Sequence, residues 1–239
     1  MGLPTLRRGR LHGASLSLAL AVGLNAMLAQ PNQRRVATTP GVAAQDLTEL
    51  AQKALRTYTT RLVNDRNYAS LGFRSLGEAN AATLGSPQTV TLIGLADLKG
   101  YTPGTPAKAV LRDARAVWFP VLVGGQTRTK LEMVQSGGRW VPGEFGAAQT
   151  AQQIGRVVSE LPNKLAAARI KLPEKLVLVK VPSLMATFIY VDSESGEFLV
   201  PAMLSPERLA VEQGRPYPAQ ELLLKLKEAA KDIDEKKVR

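Results

Sequence analysis

Residues 116–145 read Ala-Val-Trp-Phe-Pro-Val-Leu-Val-Gly-Gly-Gln-Thr-Arg-Thr-Lys-Leu-Glu-Met-Val-Gln-Ser-Gly-Gly-Arg-Trp-Val-Pro-Gly-Glu-Phe. The segment 116–123 is apolar on both faces, and the glycine pair that follows it supplies the positive φ angles of a tight hairpin turn. Ser136-Gly137-Gly138 supplies a second turn. The pattern predicts a meander of three antiparallel strands over 116–123, 127–133 and 139–145.

The second of these segments alternates between two kinds of side chain. Thr127, Thr129, Leu131 and Met133 alternate with Arg128, Lys130 and Glu132. Because successive side chains of a strand point to opposite faces, the pattern predicts one buried face and one solvated face, with Glu132 pointing outward. Pro120 has no N–H to give to a ladder, so it is expected to mark an edge or a bulge.

An amphipathic helix is expected on each side of this meander. Asp46 and Glu49 form a capping-box arrangement at the start of a helix over 47–64, which we expect to lie against a sheet. Its apolar face comprises Leu47, Leu50, Ala51, Ala54, Leu55, Tyr58 and Leu62. A strand over 89–95 and a loop over 100–106 follow that helix, and a helix over 147–161 follows the meander.

A second half of similar outline begins after an alanine-rich stretch bounded by Pro162 and Pro173. Strands are expected over 175–181, 184–192 and 197–204, then a helix capped by Ser205 and a last helix that begins near Pro218. The expected fold class is α+β, with two antiparallel β-meanders, each flanked by helices. We place the N-terminal half at 46–161 and the C-terminal half at 174–235; the sequence leaves open whether they form one domain.

The first residues resemble an export signal. Arg7, Arg8 and Arg10 precede an apolar stretch over 14–29, and the first acidic residue of the chain is Asp46. We expect residues 1–29 to be a signal peptide of an exported bacterial protein, periplasmic or extracellular, and 30–45 to be a spacer. Cleavage after position 44 is an alternative, as is an uncleaved segment that anchors the protein to a membrane.

The chain of 239 residues is basic, with a formal net charge of +11. Loss of the three arginines of residues 1–29 lowers that charge to +8, and loss of residues 1–44 lowers it to +6. Such a surface allows weak contact with an anionic envelope surface. The basic residues are interleaved with acidic ones, so no nucleic acid is expected as a partner.

Several catalytic classes lack their residues. The chain has no cysteine, and its one histidine, His12, lies in the expected signal segment. The mature chain therefore has neither a Ser-His-Asp triad nor a Cys-His pair, nor histidine or cysteine ligands for a metal. The sequence also lacks a serine–lysine motif and both common glycine-rich nucleotide motifs. No catalytic, cofactor-binding or metal-binding residue is predicted.

Carboxylates offer the remaining route to hydrolysis. Glycoside hydrolysis needs two carboxylates, one of them held protonated, and Glu132, Glu144 and Glu197 are the candidates. Aromatic content of 5% leaves few surfaces for stacking sugars. Asp192, Glu194 and Glu197 surround Gly196, but strands rather than helices flank them, which favours a polar hairpin tip over a calcium loop.

The conspicuous aromatic residues are two pairs in the meander. Trp118 with Phe119 and Trp140 with Phe145 are expected in the core or on a sheet face. An exposed pair beside a basic residue would instead suggest a ligand-binding patch, and the basic residues near them are Arg115, Arg128 and Arg139.

Residues 188–199, Phe-Ile-Tyr-Val-Asp-Ser-Glu-Ser-Gly-Glu-Phe-Leu, resemble the strand–turn–strand of small exported PepSY-type modules. The resemblance implies a cystatin-like outline and a part in inhibiting or chaperoning secreted proteins. We therefore expect a non-enzymatic binding, chaperone or inhibitor-like module whose partner is another envelope or secreted protein, bound as an added strand. The alternatives are a secreted carboxylate-dependent hydrolase and an envelope-structural protein bound to anionic polymers.

Overall fold

A computed structural model describes residues 44–205 and 209–233. The expected signal peptide and nearly all of the expected spacer lie outside these residues. The described helices are α1 (Ala44–Arg61), α2 (Leu76–Asn80), α3 (Leu95–Lys99), α4 (Ala148–Ala167) and α5 (Ala219–Ala229). Short 3₁₀ turns occupy Ala107–Val110 and Pro182–Leu184.

The first meander forms as predicted, from β3 (Arg112–Val123), β4 (Gln126–Ser136) and β5 (Arg139–Gly146). Gly124 and Gly125 make the first turn with φ angles of 57° and 77°. A bulge lies near Pro120 rather than at it: Pro120 pairs regularly with Lys130, and the register between β3 and β4 shifts between Val121 and Leu122, where Arg128 is the extra residue of β4.

The second meander consists of β6 (Val177–Val181), β7 (Ala186–Ser193) and β8 (Gly196–Met203). Three further strands are β1 (Thr83–Leu84), β2 (Gln88–Leu92) and β9 (Tyr217–Pro218). The expected helix after Ser205 partly falls on residues 206–208, outside the described part, and residues 209–216 form no helix.

A parallel pair joins the two meanders into one sheet. Strand β2 pairs antiparallel with β3 on one side and parallel with β6 on the other, where Val90 faces Leu178. The strand order is β5-β4-β3-β2-β6-β7-β8-β9, with β1 paired beside β2 on β3. The α+β class is confirmed, and the strands of both halves share one mostly antiparallel sheet.

Helices cover both faces of this sheet. On one face α1 and α2 pack over the first meander against residues such as Phe119 and Leu131, while α3 and α5 pack over the second meander against Phe188. Among the described helices, only α4 lies on the opposite face, where its apolar residues share a core cluster with Val90, Ala116, Trp118, Leu178, Ile189, Val191, Val200 and Ala202.

The prediction of a solvated face on β4 is wrong. Lys130 is 3% exposed, and the side chain of Glu132 is 12% exposed. The reason is α4, which covers the face that the alternation assigned to solvent. That helix also extends beyond its predicted end at residue 161 and continues through Pro162. The proline lies on the exposed side of the helix, and the neighbouring Leu161 and Leu165 are buried on the other side.

Candidate ligand-binding site

A half-enclosed cavity of about 270 Å³ lies between α4 and the sheet. At Gly155 the helix approaches β4 so closely that an added Cβ would lie 2.5 Å from Thr127 Oγ1. The cavity extends from this contact beneath the middle of α4. Its lining is mainly apolar and comprises Gly85, Ser86, Gln88, Trp118, Pro120, Leu122, Gly125, Thr127, Lys130, Ala151, Ile154, Gly155, Val158, Ser159 and Leu176.

Two polar side chains in the cavity wall carry buried atoms without a partner. Gln88 and Trp118 face each other across β2 and β3, and each is 3% exposed. Gln88 Oε1 and Trp118 Nε1 have no hydrogen-bond partner among the described residues. A buried polar group without a partner costs about 1–3 kcal/mol, and such groups are rare in folded proteins. The cavity wall is therefore less stable than an apolar wall of the same shape.

A lysine forms the charged part of the same wall. Lys130 Nζ donates to Glu132 Oε2 at 3.1 Å and to Glu144 Oε2 at 2.5 Å. The same Nζ lies 4.8 Å from the ring centroid of Trp118. Lys180 Nζ adds a contact of 3.3 Å to Glu132 Oε1 and lies 5.8 Å from the same ring. Two ammonium groups and two carboxylates thus form a balanced cluster around the indole.

The cluster keeps Glu132 ionised. Burial acts to raise the pKa of Glu132, but attraction to Lys130 and Lys180, with the hydrogen bonds from both, outweighs it and lowers that pKa. A general acid near neutral pH needs a raised pKa instead. Glu132 and Glu144 are therefore brought together around Lys130, as a hydrolase would require, but Glu132 is held in its charged form.

A polar recess of about 520 Å³ adjoins the apolar cavity. The two share the rim formed by Gly125, Thr127, Gly155 and Ser159. The other residues that line the recess are Gln126, Arg128, Gln152 and Arg156. The cavity is mainly apolar and the adjoining recess is basic, and the close contact between Gly155 and Thr127 lies among the residues that line both.

Glu197 lies elsewhere. Its carboxylate accepts hydrogen bonds from the Tyr190 hydroxyl at 2.6 Å and from the backbone N–H groups of Ala107 and Lys108 at 2.6 and 3.1 Å. Burial acts to raise the pKa of Glu197, but these donors lower it overall, and burial beside Glu197 raises the pKa of Tyr190. This carboxylate fixes the 3₁₀ turn to β8 and is on the opposite face of the sheet from Glu144.

The other residues singled out in the sequence form no site. Asp192 and Glu194 are exposed at the hairpin, and the described residues contain no group of three or more acidic or histidine side chains placed to hold a metal ion. The aromatic pairs pack as predicted, with Trp118 and Phe119 buried and with Trp140 and Phe145 packed against the core beneath α1. Arg115 and Arg139 are exposed.

Sequence reasoning missed four residues of the site. Lys130 was assigned to the solvated face of β4, Gln88 lies one residue before the expected strand, and Lys180 and Arg156 were not singled out. A signal for the burial of Lys130 was present, because an apolar segment on both faces, such as 116–123, indicates that both faces of the sheet are covered.

No helix in the described part of the chain is both long enough and apolar enough to span a membrane. No protein-family model, curated protein or solved structure matches this chain.

Proposed function

We propose that the protein is a non-enzymatic binding module of the bacterial cell envelope, which holds a small apolar ligand between α4 and the sheet. The observation that carries the proposal is the half-enclosed apolar cavity of about 270 Å³, whose lining includes Gln88 and Trp118, each with a buried polar atom that has no partner among the described residues. Concave, mainly apolar sites with a few polar groups are typical of small-molecule binding.

The sheet edges favour this cavity over an added peptide strand as the binding site. The strand β5 forms one edge, and it contains Pro142 and a register shift between Leu131 and Met133 of its neighbour. The other edge, β9, has only two residues and ends at Pro218. Prolines, bulges and short edge strands are features that discourage strand addition.

The charges of the site favour binding over carboxylate-based hydrolysis. Glu132 and Glu144 share Lys130 as a hydrogen-bond donor, and the lowered pKa of Glu132 keeps it ionised. Glu132 is therefore not set up as the protonated acid that glycoside hydrolysis requires.

Isothermal titration calorimetry with 1-octanol as the ligand tests the binding site. Val158 lines the cavity, so Val158→Phe fills it and is expected to lower the affinity at least about tenfold. Glu160→Phe is the matched control, because it places the same ring on an exposed position of the same helix and should bind as the wild type does. Equal binding by both variants, or no binding by the wild type, would refute this site.

The intact mass of the protein from the envelope fraction of its host tests the compartment. We expect a mass that lacks the first 29 to 44 residues. A full-length mass in a cytosolic fraction would contradict the envelope part of the proposal and leave the cavity experiment unaffected.

A further inference from the structure

The ligand chemistry follows from the basic recess beside the cavity, and this step rests on the proposed function. We infer that the ligand is a small amphipathic monocarboxylate, with its apolar chain in the cavity beneath α4 and its carboxylate in the recess at Arg156. The two compartments share four lining residues and therefore adjoin each other, so in this binding mode the two ends of one ligand lie in neighbouring compartments.

The recess is basic without a compensating acid in its lining. Arg128 and Arg156 are its ionisable residues among the described ones. Arg128 Nη2 donates to Glu78 Oε1 at 3.0 Å, so this guanidinium already has a carboxylate partner, although its buried Nε has no partner among the described residues. Arg156 is exposed, and its guanidinium has no hydrogen bond or ion pair to any described residue. An arginine fork of this kind can hold a carboxylate through two parallel hydrogen bonds.

The deep end of the cavity does not offer a competing place for the anion. Lys130 is the ionisable residue of the cavity lining among the described residues, and both Glu132 and Glu144 accept from its ammonium. A second anion placed there would be repelled by these two carboxylates. The charged head therefore points outward, and the chain inward against Leu122, Ile154 and Val158.

The size of the cavity limits the chain. Its volume of about 270 Å³ lies just below the range of about 300–1,000 Å³ that drug-sized ligands occupy. A medium-length alkyl chain or a single aromatic ring suits this volume, whereas a long-chain lipid does not. Octanoate is therefore the probe that we choose.

A matched series of ligands separates the contribution of the alkyl chain from that of the charged head group. Octanoate, 1-octanol and octylammonium have the same alkyl chain with a negative, neutral or positive head. We expect octanoate to bind about tenfold more tightly than 1-octanol, and octylammonium to bind most weakly. Equal affinity for octanoate and 1-octanol would overturn this inference while leaving the proposed function intact. The absence of binding by all three would overturn both.

Charge reversal at Arg156 tests where the head lies. Arg156→Glu should reverse the preference, so that octylammonium binds more tightly than octanoate, while the affinity for 1-octanol stays within about twofold of the wild type. The control is Lys164→Glu, which makes the same change of charge at an exposed position on the same helix and should preserve the order of the wild type. An unchanged order in Arg156→Glu would refute the assignment of Arg156.

Discussion

Lys130 Nζ lies 4.8 Å from the ring centroid of Trp118, and each of these two residues is only 3% exposed. A desolvated contact between a cation and an aromatic face contributes about 2 kcal/mol. The contact fixes the indole from the side of the charged cluster, while the indole also forms part of the cavity wall. The cluster therefore holds the shape of the binding site without itself presenting a free charge to it.

The two carboxylates that bind Lys130 should differ in their effect on stability. Glu132→Gln replaces a largely buried charge that contacts both Lys130 and Lys180, and we expect the free energy of unfolding to fall by about 2–3 kcal/mol. Glu144→Gln removes a carboxylate whose side chain is 54% exposed and should cost about 1 kcal/mol or less. Urea unfolding measures both, and a larger loss from Glu144→Gln would contradict this assignment.

Acid should destabilise the fold through Glu132 and Glu197. Both have pKa values below the ordinary value of 4.5, so each stabilises the folded state fully above that value and loses its contribution as pH falls through the folded pKa. We expect the free energy of unfolding to decrease between about pH 5 and pH 3.

The variant Glu197→Gln should show a smaller decrease over the same pH interval, because one carboxylate with a lowered pKa is absent. Glu160→Gln changes an exposed helical residue and should retain the decrease of the wild type. Urea unfolding at several pH values measures these slopes. Parallel curves for the wild type and Glu197→Gln would show that Glu197 is not linked to folding.

Gly155 should tolerate no side chain. The Cβ of Gly155→Ala would lie 2.5 Å from Thr127 Oγ1 and 2.6 Å from Thr127 Cβ, so α4 must move away from β4. Overpacking of this kind costs about 1–3 kcal/mol. Gly77→Ala is the matched control, because its nearest neighbour, Ser75 Oγ, is at 3.5 Å, and we expect a gain of about 0.5–1 kcal/mol there. Equal thermal stability of the two variants would disprove the close approach.

The effect of a substitution at Gly124 on stability should depend on the backbone conformation of this residue rather than on steric contact with its neighbours. Gly124 has a φ of 57° and no heavy atom within 4 Å of an added Cβ. Gly124→Asn should change the stability little, since asparagine adopts this conformation readily, whereas Gly124→Val should cost about 1–2 kcal/mol. Thermal melting of both variants checks the difference, and similar losses for the two would argue against a left-handed residue at this position.

The sequence predicted local structure better than it predicted the site. The glycine pairs at Gly124 and Gly137 mark turns through conformations that few other residues adopt, so the first meander was predictable from neighbouring residues alone. The pairing of β2 with β6 was not, because residues 88–92 and 177–181 carry no signal for each other. The site also depends on a tertiary contact that the sequence does not signal. Lys130 and Glu132 are buried because α4 lies over β4, and the alternation of residues along β4 does not indicate this.

The parallel pair at the centre of the sheet also joins two segments that are far apart in the sequence. Val90 meets Leu178 only after most of the chain is available, and such distant contacts form slowly because a long loop must close first. Until then β2 has one side without hydrogen-bond partners. A fragment that ends before residue 176 would keep that side open and is prone to self-association through it, so both sides of β2 are paired only when the C-terminal half is present.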